Sequence, residues 1–199
     1  VMASVLGGTV SDKGQGNAMM RGPGGATKTA LEPKKDQRLV ELMPSYKVLA
    51  AELRPEIESG RIQVSMELRG LTISFKQAAL FPSGEDVIAP DALESIDKVA
   101  QAINKLPNPV RLEGHTDSMP IHTPRFRNNW DLSAARSIAL LELLTTRFHV
   151  AQDRLSIGGY ADTAPVDSND TEAGRARNRR VDIVILNQTG VMAEPGKRQ

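Results

Sequence analysis

Hydrophobic and polar positions follow two different periods along this chain, and the changes of period divide it into elements. Leu39, Leu42, Met43, Tyr46, Leu49, Ala50, Leu53 and Ile57 recur every three or four residues, which predicts an amphipathic helix of about six turns. Pro44 and Pro55 fall inside that pattern and predict a broken or kinked helix, because proline lacks the backbone donor and clashes with the preceding turn. The period then drops to two. Val64, Met66 and Leu68 alternate with polar residues, Gly70 marks a turn, and Leu71, Ile73 and Phe75 alternate again, so a hairpin is expected. Phe81-Pro82-Ser83-Gly84 reads as loop. Residues 90–106 carry Leu93, Ile96, Val99, Ala100 and Ile103 on one helical face, and Pro107-Asn108-Pro109 ends that helix.

Residues 110–114 form the next expected strand. A second major helix follows, capped by Asp131 or Ser133, with Ala134, Ile138, Leu141, Leu144 and Phe148 on its buried face. Residues 155–159 and 181–186 read as strands flanking a short helical segment at 172–178. The order hairpin, helix, strand, helix, strand, short helix, strand predicts an α/β sandwich, a mixed sheet covered by helices. The ends look different. Residues 7–36 are rich in Gly, Ser, Thr, Lys and Asp around Gly22-Pro23-Gly24-Gly25, too polar to offset chain entropy by burial. The expected organisation is a flexible tether over 1–36, the amphipathic linker helix over 37–60, the domain over 61–188 and a flexible tail over 189–199.

Composition narrows the function classes. The 25 basic and 24 acidic side chains leave a net charge of +1, with no global pull toward nucleic acid or an anionic membrane. Aromatics are 4%, too few for base-stacking platforms, and the absence of cysteine removes thiolate chemistry. No stretch approaches the roughly 20 apolar residues that span a bilayer. The opening Val1-Met2-Ala3-Ser4-Val5-Leu6 is too short for an export signal and lacks a basic flank, which fits a fragment cut downstream of an anchor.

Three motifs carry the candidate chemistry: Gly114-His115-Thr116-Asp117 at a strand end, Asn129-Trp130-Asp131-Leu132-Ser133-Ala134-Ala135-Arg136 opening a helix, and Asn178-Arg179-Arg180-Val181. Spacing alone leaves two readings open. Asp117 braces a loop while Arg136 is a solvated helix residue, or the two converge on a ligand that carries both an ammonium and a carboxylate. His115, His122 and His149 have no zinc spacing, although Asp117 is expected on the same side as His115, so no metal is assigned. Ser118 and Ser133 lack a nucleophile-elbow context, and Gly158-Gly159 is a tight turn rather than a dinucleotide site. No catalytic residue and no cofactor are expected. The basic run 175–180 is short, lacks interleaved aromatics and reads as a solvated face.

In this order, the three motifs resemble the OmpA-like peptidoglycan-binding domain over roughly residues 62–187. The longer segment 118–128, with Phe126 and Asn129-Trp130-Asp131-Leu132-Ser133, is similar to the MotB branch, the stator protein of the flagellar motor. The resemblance implies that Asp117 and Arg136 bind diaminopimelate of the peptidoglycan stem peptide. It implies neutral hydrogen bonds from Thr116 and Asn129, a Leu132 carbonyl for the ammonium, Ser133 flanking the same place, and Arg179 at the ligand rim. Trp130 is expected as a packing residue of the insertion. The partners implied are peptidoglycan, a MotA-like channel subunit reached through an absent transmembrane part, and a second copy in a homodimer, with no nucleic acid. The location implied is periplasmic, as a fragment of a bacterial inner-membrane-anchored protein. An outer-membrane OmpA or Pal-type anchor is the alternative within the binding class, and a cell-wall hydrolase the alternative outside it. Residues 38–59 are expected to self-associate or to pack on the domain, with Pro44 and Pro55 as joints.

Overall fold

A computed structural model describes residues 41–193, all within one unit of the chain; the expected tether over 1–36 and the end of the tail lie outside the described residues. The segment around the two prolines is helical, and its break is where the pattern predicts one. Helix α1 runs Met43–Glu52 and α2 runs Arg54–Glu58, with Pro44 and Pro55 each in the first turn. A proline is tolerated there because the amide it lacks has no helical partner anyway, so the prolines start two helices rather than kink one. Leu42, Leu49 and Leu53 are fully buried in the domain's own core. Glu56 of α2 is buried too, its Oε1 accepting from Ser95 Oγ at 3.0 Å and Lys98 Nζ at 3.3 Å. Of the two roles expected for this stripe, packing on the domain is the one observed. Met43, Tyr46, Ala50 and Ile57 of the same stripe are half-buried.

Strands β1 (Ile62–Glu67) and β2 (Gly70–Lys76) form the hairpin, followed by the short helix α3 (Gln77–Leu80). A 3-10 turn at Pro90–Ala92 leads into α4 (Leu93–Asn104), then β3 (Val110–His115), α5 (Asn129–Thr146) and β4 (Leu155–Gly159). Helix α6 (Glu172–Asn178), β5 (Arg180–Leu186) and α7 (Gln188–Ala193) complete the described chain. Residues 189–193, expected as tail, thus belong to a helix, with Asn187 Oδ1 accepting from Gly190 N at 3.0 Å. The sheet order is β1-β2-β5-β3-β4; only β3 and β4 are parallel, joined through α5, so the sheet is mixed. Strand β5 lies between β2 and β3 and is buried along its whole length.

One sheet face meets the helices. Leu71, Ile73, Phe75, Leu112, Val181, Ile183 and Ile185 pack there against Ile96, Val99 and Ile103 of α4 and Leu140 and Leu144 of α5. Helix α5 differs from its expected face. Leu132, Ser133, Arg136, Ser137, Leu140 and Leu144 are buried, whereas Ile138 is 42% exposed. The cause is close packing. A Cβ on Gly114 would meet the Ser133 carbonyl oxygen at 2.0 Å, so glycine is what lets the start of α5 lie against the end of β3. At that distance small side chains face the sheet, and Ser137 Oγ donates to the Gly158 carbonyl at 3.0 Å. The cap differs as well: Asn128, not Asp131 or Ser133, accepts from Asp131 N, at 3.0 Å. Asp131 instead holds Arg127 at 2.8 Å.

Candidate functional site

The close approach of α5 to β3 decides which side chains meet at the sheet edge. Chain leaving β3 turns at Asp117 into the long segment ahead of α5, and β5 begins beside it at Arg180. A cleft of about 690 Å³ opens there, bordered by Phe81, Thr116, Asp117, Asn129, Leu132, Arg136, Glu172 and Arg179, among others. Six of the seven residues singled out from sequence therefore border one cavity. The exception is Ser133.

Asp117 is buried, its Oδ1 accepting from Met119 N at 3.0 Å and its Oδ2 from Arg179 Nη1 at 2.5 Å. Thr116 Oγ1 donates to the Asp117 carbonyl at 2.9 Å, and Asn129 Nδ2 donates to the carbonyls of Asp117 at 3.2 Å and Met119 at 3.0 Å. Thr116 and Asn129 thus brace the loop that presents the carboxylate. Leu132 borders the cleft from inside α5, where the helical ladder engages its carbonyl. Ser133 is fully buried behind the cleft: its Oγ donates to the Trp130 carbonyl and accepts from Ala161 N, both at 3.1 Å. It fastens α5 to the chain after β4.

Arg136 is the unusual group. It is 2% exposed, its Nε donates to the Glu85 carbonyl at 2.9 Å, and its guanidinium carbon lies 5.3 Å over the Phe81 ring. Among the described residues no carboxylate forms an ion pair with it. Asp86 is held by Arg125 at 2.6 Å, and Asp117 by Arg179. Burial lowers its pKa to about 10, with Arg179 adding to the fall and Asp86 and Asp117 opposing it. It remains a cation at neutral pH, desolvated and without a carboxylate counter-ion among the described residues. Burying a charge is costly unless it is paired. A carboxylate entering the cleft meets a guanidinium fork that has already given up its water.

Arg179 spans two acids, Asp117 and Glu172, the latter at 2.7 Å from its Nη2. Glu172, Phe81 and the Glu85 carbonyl were missed in the sequence. Nothing in their spacing links a loop before α4 to the start of α5; only the fold brings them together. The motif Asn178-Arg179-Arg180-Val181 proves to serve three places. Asn178 is fully buried and organises the preceding loop, accepting from Val166 N at 2.8 Å and Asp167 N at 2.9 Å. Arg179 enters the cleft, and Arg180 turns to the opposite sheet face. The basic run is neutralised residue by residue, since Arg175 pairs with Glu172, Arg177 with Asp167 and Arg180 with Asp182.

His115 was expected to share a side with Asp117 and does not. It lies on the opposite sheet face, stacked on Tyr160 with ring centroids 5.2 Å apart, in a cluster with Glu113 and Asp182. The ligand-capable atoms of Glu113, His115 and Asp182 lie within 4.8 Å of one another, a spacing open to a metal ion. Charge argues otherwise. Arg69 holds Glu113 at 2.8 Å, Arg111 holds it at 3.0 Å, and Arg180 holds Asp182 at 2.9 Å, so a cation would have to displace guanidiniums. Burial, with Arg180 and Arg69 nearby, drops the His115 pKa to about 3. The ring is neutral, and its 3.4 Å contact with Asp182 is not aligned as a hydrogen bond. A second cleft, about 730 Å³, lies at the far end of the sheet between residues 107–109 and α7. Glu41 is its one titratable side chain, so it offers no paired charges to a zwitterion.

Known proteins share this arrangement in part. The chain is 38% identical over 117 residues to the uncharacterized protein YtxE of Bacillus subtilis, covering 59% of this chain and 48% of that one. It is 34% identical over 128 residues to motility protein B of the same organism, covering 63% and 49%. The chain thus spans about half the length of these curated relatives. Among solved structures, the cell wall anchor of the T6SS from Pseudomonas aeruginosa superimposes with a TM-score of 0.65 at 32% identity, over 70% of this chain and 97% of that one. The OmpA family pattern matches residues 80–179, the stretch from the end of α3 through Arg179 that holds nearly every residue bordering the cleft. The chain belongs to the OmpA family.

Proposed function

We propose that this chain binds peptidoglycan without turning it over, and that Asp117 and Arg136 receive the ammonium and carboxylate on one carbon of diaminopimelate. The observation that carries the reading is Arg136, a buried guanidinium with no carboxylate partner among the described residues, beside a carboxylate on the same cleft wall. The ligand carboxylate takes the Arg136 fork. The ligand ammonium donates to Asp117, whose two oxygens retain acceptor capacity beyond the Met119 amide and Arg179. Arg179 and Glu172 form the rim, while Thr116, Asn129 and Ser133 hold the frame.

In a longer parent protein, the likeness to motility protein B supports a stator role: a periplasmic anchor, dimeric, fixed to the wall and joined to a MotA-like channel subunit through a transmembrane part. The likeness to a secretion-system cell wall anchor supports a second reading, in which the anchoring chemistry is the same and the machine differs. Co-sedimentation with purified sacculi tests the binding. The protein should pellet with the wall and be released by free diaminopimelate; protein left in the supernatant at low and moderate salt overturns the reading. Deleting the gene separates the two machines, because a stator anchor is needed for motility and a secretion anchor is not.

A further inference from the structure

Arg136 is held in the cleft by a backbone carbonyl, and the residue that follows that carbonyl is an acid. Residues 82–89 form a loop after α3, closed by Ala89 N donating to the Leu80 carbonyl at 2.8 Å and Glu85 N to the Pro82 carbonyl at 3.2 Å. From this loop the Glu85 carbonyl accepts from Arg136 Nε at 2.9 Å. In a trans peptide the carbonyl oxygen and the next Cα are about 2.8 Å apart, so covalent geometry puts the Asp86 Cα within about 6 Å of Arg136 Nε. A change of side-chain rotamer brings a carboxylate from there onto the guanidinium. Burial lowers the Arg136 pKa, and of the two carboxylates that oppose the fall Asp86 acts more strongly than Asp117. Asp86 nevertheless pairs elsewhere: its Oδ2 accepts from Arg125 Nη2 at 2.6 Å.

Arg125 belongs to the segment ahead of α5. Trp130 was expected to pack that insertion, but it is 52% exposed, and the buried aromatic is Phe126, at 4%. The turn around Phe126 is closed on itself, with Phe126 N donating to Thr123 Oγ1 at 3.0 Å and Thr123 N to the Phe126 carbonyl at 2.8 Å. Arg127, tied to Asp131 at 2.8 Å, fastens the turn to α5. The Arg125 guanidinium carbon lies 5.5 Å over the Phe126 ring, and its end meets Asp86 beside a hollow of about 350 Å³ bordered by both loops. Arg125 is well exposed, and such a pair contributes little to folding.

We propose that Arg125 is a positioning residue for the cleft: by engaging Asp86 it keeps that carboxylate off Arg136, whose guanidinium stays open to the carboxylate of a ligand. The inference rests on the peptidoglycan reading above and adds a residue outside the cleft that sets its affinity. Arg136 commits Nε to the Glu85 carbonyl, which leaves its Nη1–Nη2 edge for a bidentate partner. Once Arg125 is removed, Asp86 can take that edge, because it is tethered beside the carbonyl that Arg136 already grips. A carboxylate on the same chain competes at a high effective concentration with one in solution. The loop then blocks the site with no change of fold.

Calorimetric titration of the full chain with diaminopimelate, and co-sedimentation with sacculi in parallel, read the effect. Arg125→Ala should weaken binding about tenfold through this internal competition. Arg125→Lys, which keeps a cation within reach of Asp86, should stay near wild type. Asp86→Asn should bind at least as tightly as wild type, and adding it to Arg125→Ala should restore what was lost. That rescue is decisive. An arginine that attracts the ligand directly, or only props the insertion, would leave the double variant as weak as Arg125→Ala. The thermal midpoint of Arg125→Ala should hold or rise, because Arg136 acquires a counter-ion. Unchanged affinity in Arg125→Ala, or a double variant no tighter than it, overturns the positioning role and leaves the peptidoglycan reading standing. A wild-type chain that binds neither diaminopimelate nor sacculi overturns that reading, and the positioning role falls with it.

Discussion

Two charged clusters stand on opposite faces of the same strand end, and they are built on different principles. On the far face, Glu113 is held by Arg69 and Arg111, and Asp182 by Arg180, with neutral His115 and Tyr160 filling the space between. In the cleft, two arginines share the acids unevenly. Arg179 takes both Asp117 and Glu172, and Arg136 takes none. The far cluster contains more ionisable groups and is more deeply buried, yet it is closed on itself. Density of charge alone does not single out the cleft; the proposed binding there rests on the uncompensated charge of Arg136. The same contrast decides against a metal at Glu113, His115 and Asp182, because the guanidiniums already occupy the positions a cation would take.

Matched substitutions in the two clusters put this contrast to the test. The largest effect is expected on the far face. Arg180→Met leaves Asp182 buried and without its guanidinium, which should cost about 3–5 kcal/mol of stability, read from denaturant unfolding. Wall binding by the fraction that remains folded should be unchanged. Arg136→Met should do the reverse. It keeps apolar contact with Phe81 and removes a buried charge that no carboxylate among the described residues pairs, at the loss of one hydrogen bond to the Glu85 carbonyl, so the thermal midpoint should hold or rise. Sacculus binding should weaken by about 2–5 kcal/mol, the usual cost of removing one side of a desolvated charged contact. Arg136→Lys should recover only part of it, since a point charge cannot reproduce the fork. A strongly destabilised Arg136→Met with normal binding would make the two clusters alike, both structural.

Strands and helices were legible because the burial that makes them leaves a period in the sequence. The α4 stripe translates directly into an observed face; in the hairpin Leu71, Ile73 and Phe75 are buried, Val64 and Met66 only half-buried, and Leu68, expected in the first strand, falls in the turn at 56% exposed. Helix α5 was legible as a helix but not in its orientation. Its buried face is chosen by the backbone approach at Gly114 and lined by Ser133, Arg136 and Ser137, which no hydrophobic scale selects. In the site, Asp117 and Arg136 were readable from motif order. Of the two readings that spacing left open for Arg136, the solvated helix residue is excluded, since it is buried on Phe81. The far cluster was not readable at all. Its pairs join residues as distant as Arg69 and Glu113, and only the strand register of β3 against β5 reveals that Glu113 lies opposite Asp182.

A smaller effect comes from pH. His115 has a folded pKa of about 3 against 6.5 when exposed, so the unfolded chain binds the proton first. Its contribution to stability is complete above pH 6.5 and is lost as pH falls toward 3. Between pH 7.5 and 5 the loss should be about 2 kcal/mol, at about 1.4 kcal/mol per unit below 6.5. Burial raises the Asp182 pKa, and that group works in the opposite sense, favouring the folded state as it takes up a proton. The two are separated by His115→Gln. Denaturation curves of that variant should lose the fall over this interval, and an undiminished fall would place its origin in groups other than His115.

The smallest effect tests whether the cleft's own ion pairs matter. Glu172 is well exposed, and an exposed pair contributes little to folding, so Glu172→Gln should leave stability unchanged. It should nevertheless change binding, because Glu172 is one of the two acids between which Arg179 is stretched. With that tether neutralised, Arg179 is free to close fully on Asp117, and the ammonium of an incoming ligand must then compete with it for the carboxylate. A drop of no more than a few-fold in diaminopimelate affinity is expected, with Glu172→Asp, which keeps the charge, close to wild type. The drop should shrink as salt is added, since salt screens the exposed Glu172 from Arg179 and so weakens the tether in the wild type. An affinity that rises instead would mean that Glu172 repels the ligand carboxylate more than it restrains Arg179. The rim of the cleft would then act through its net charge, with the geometry of Arg179 secondary.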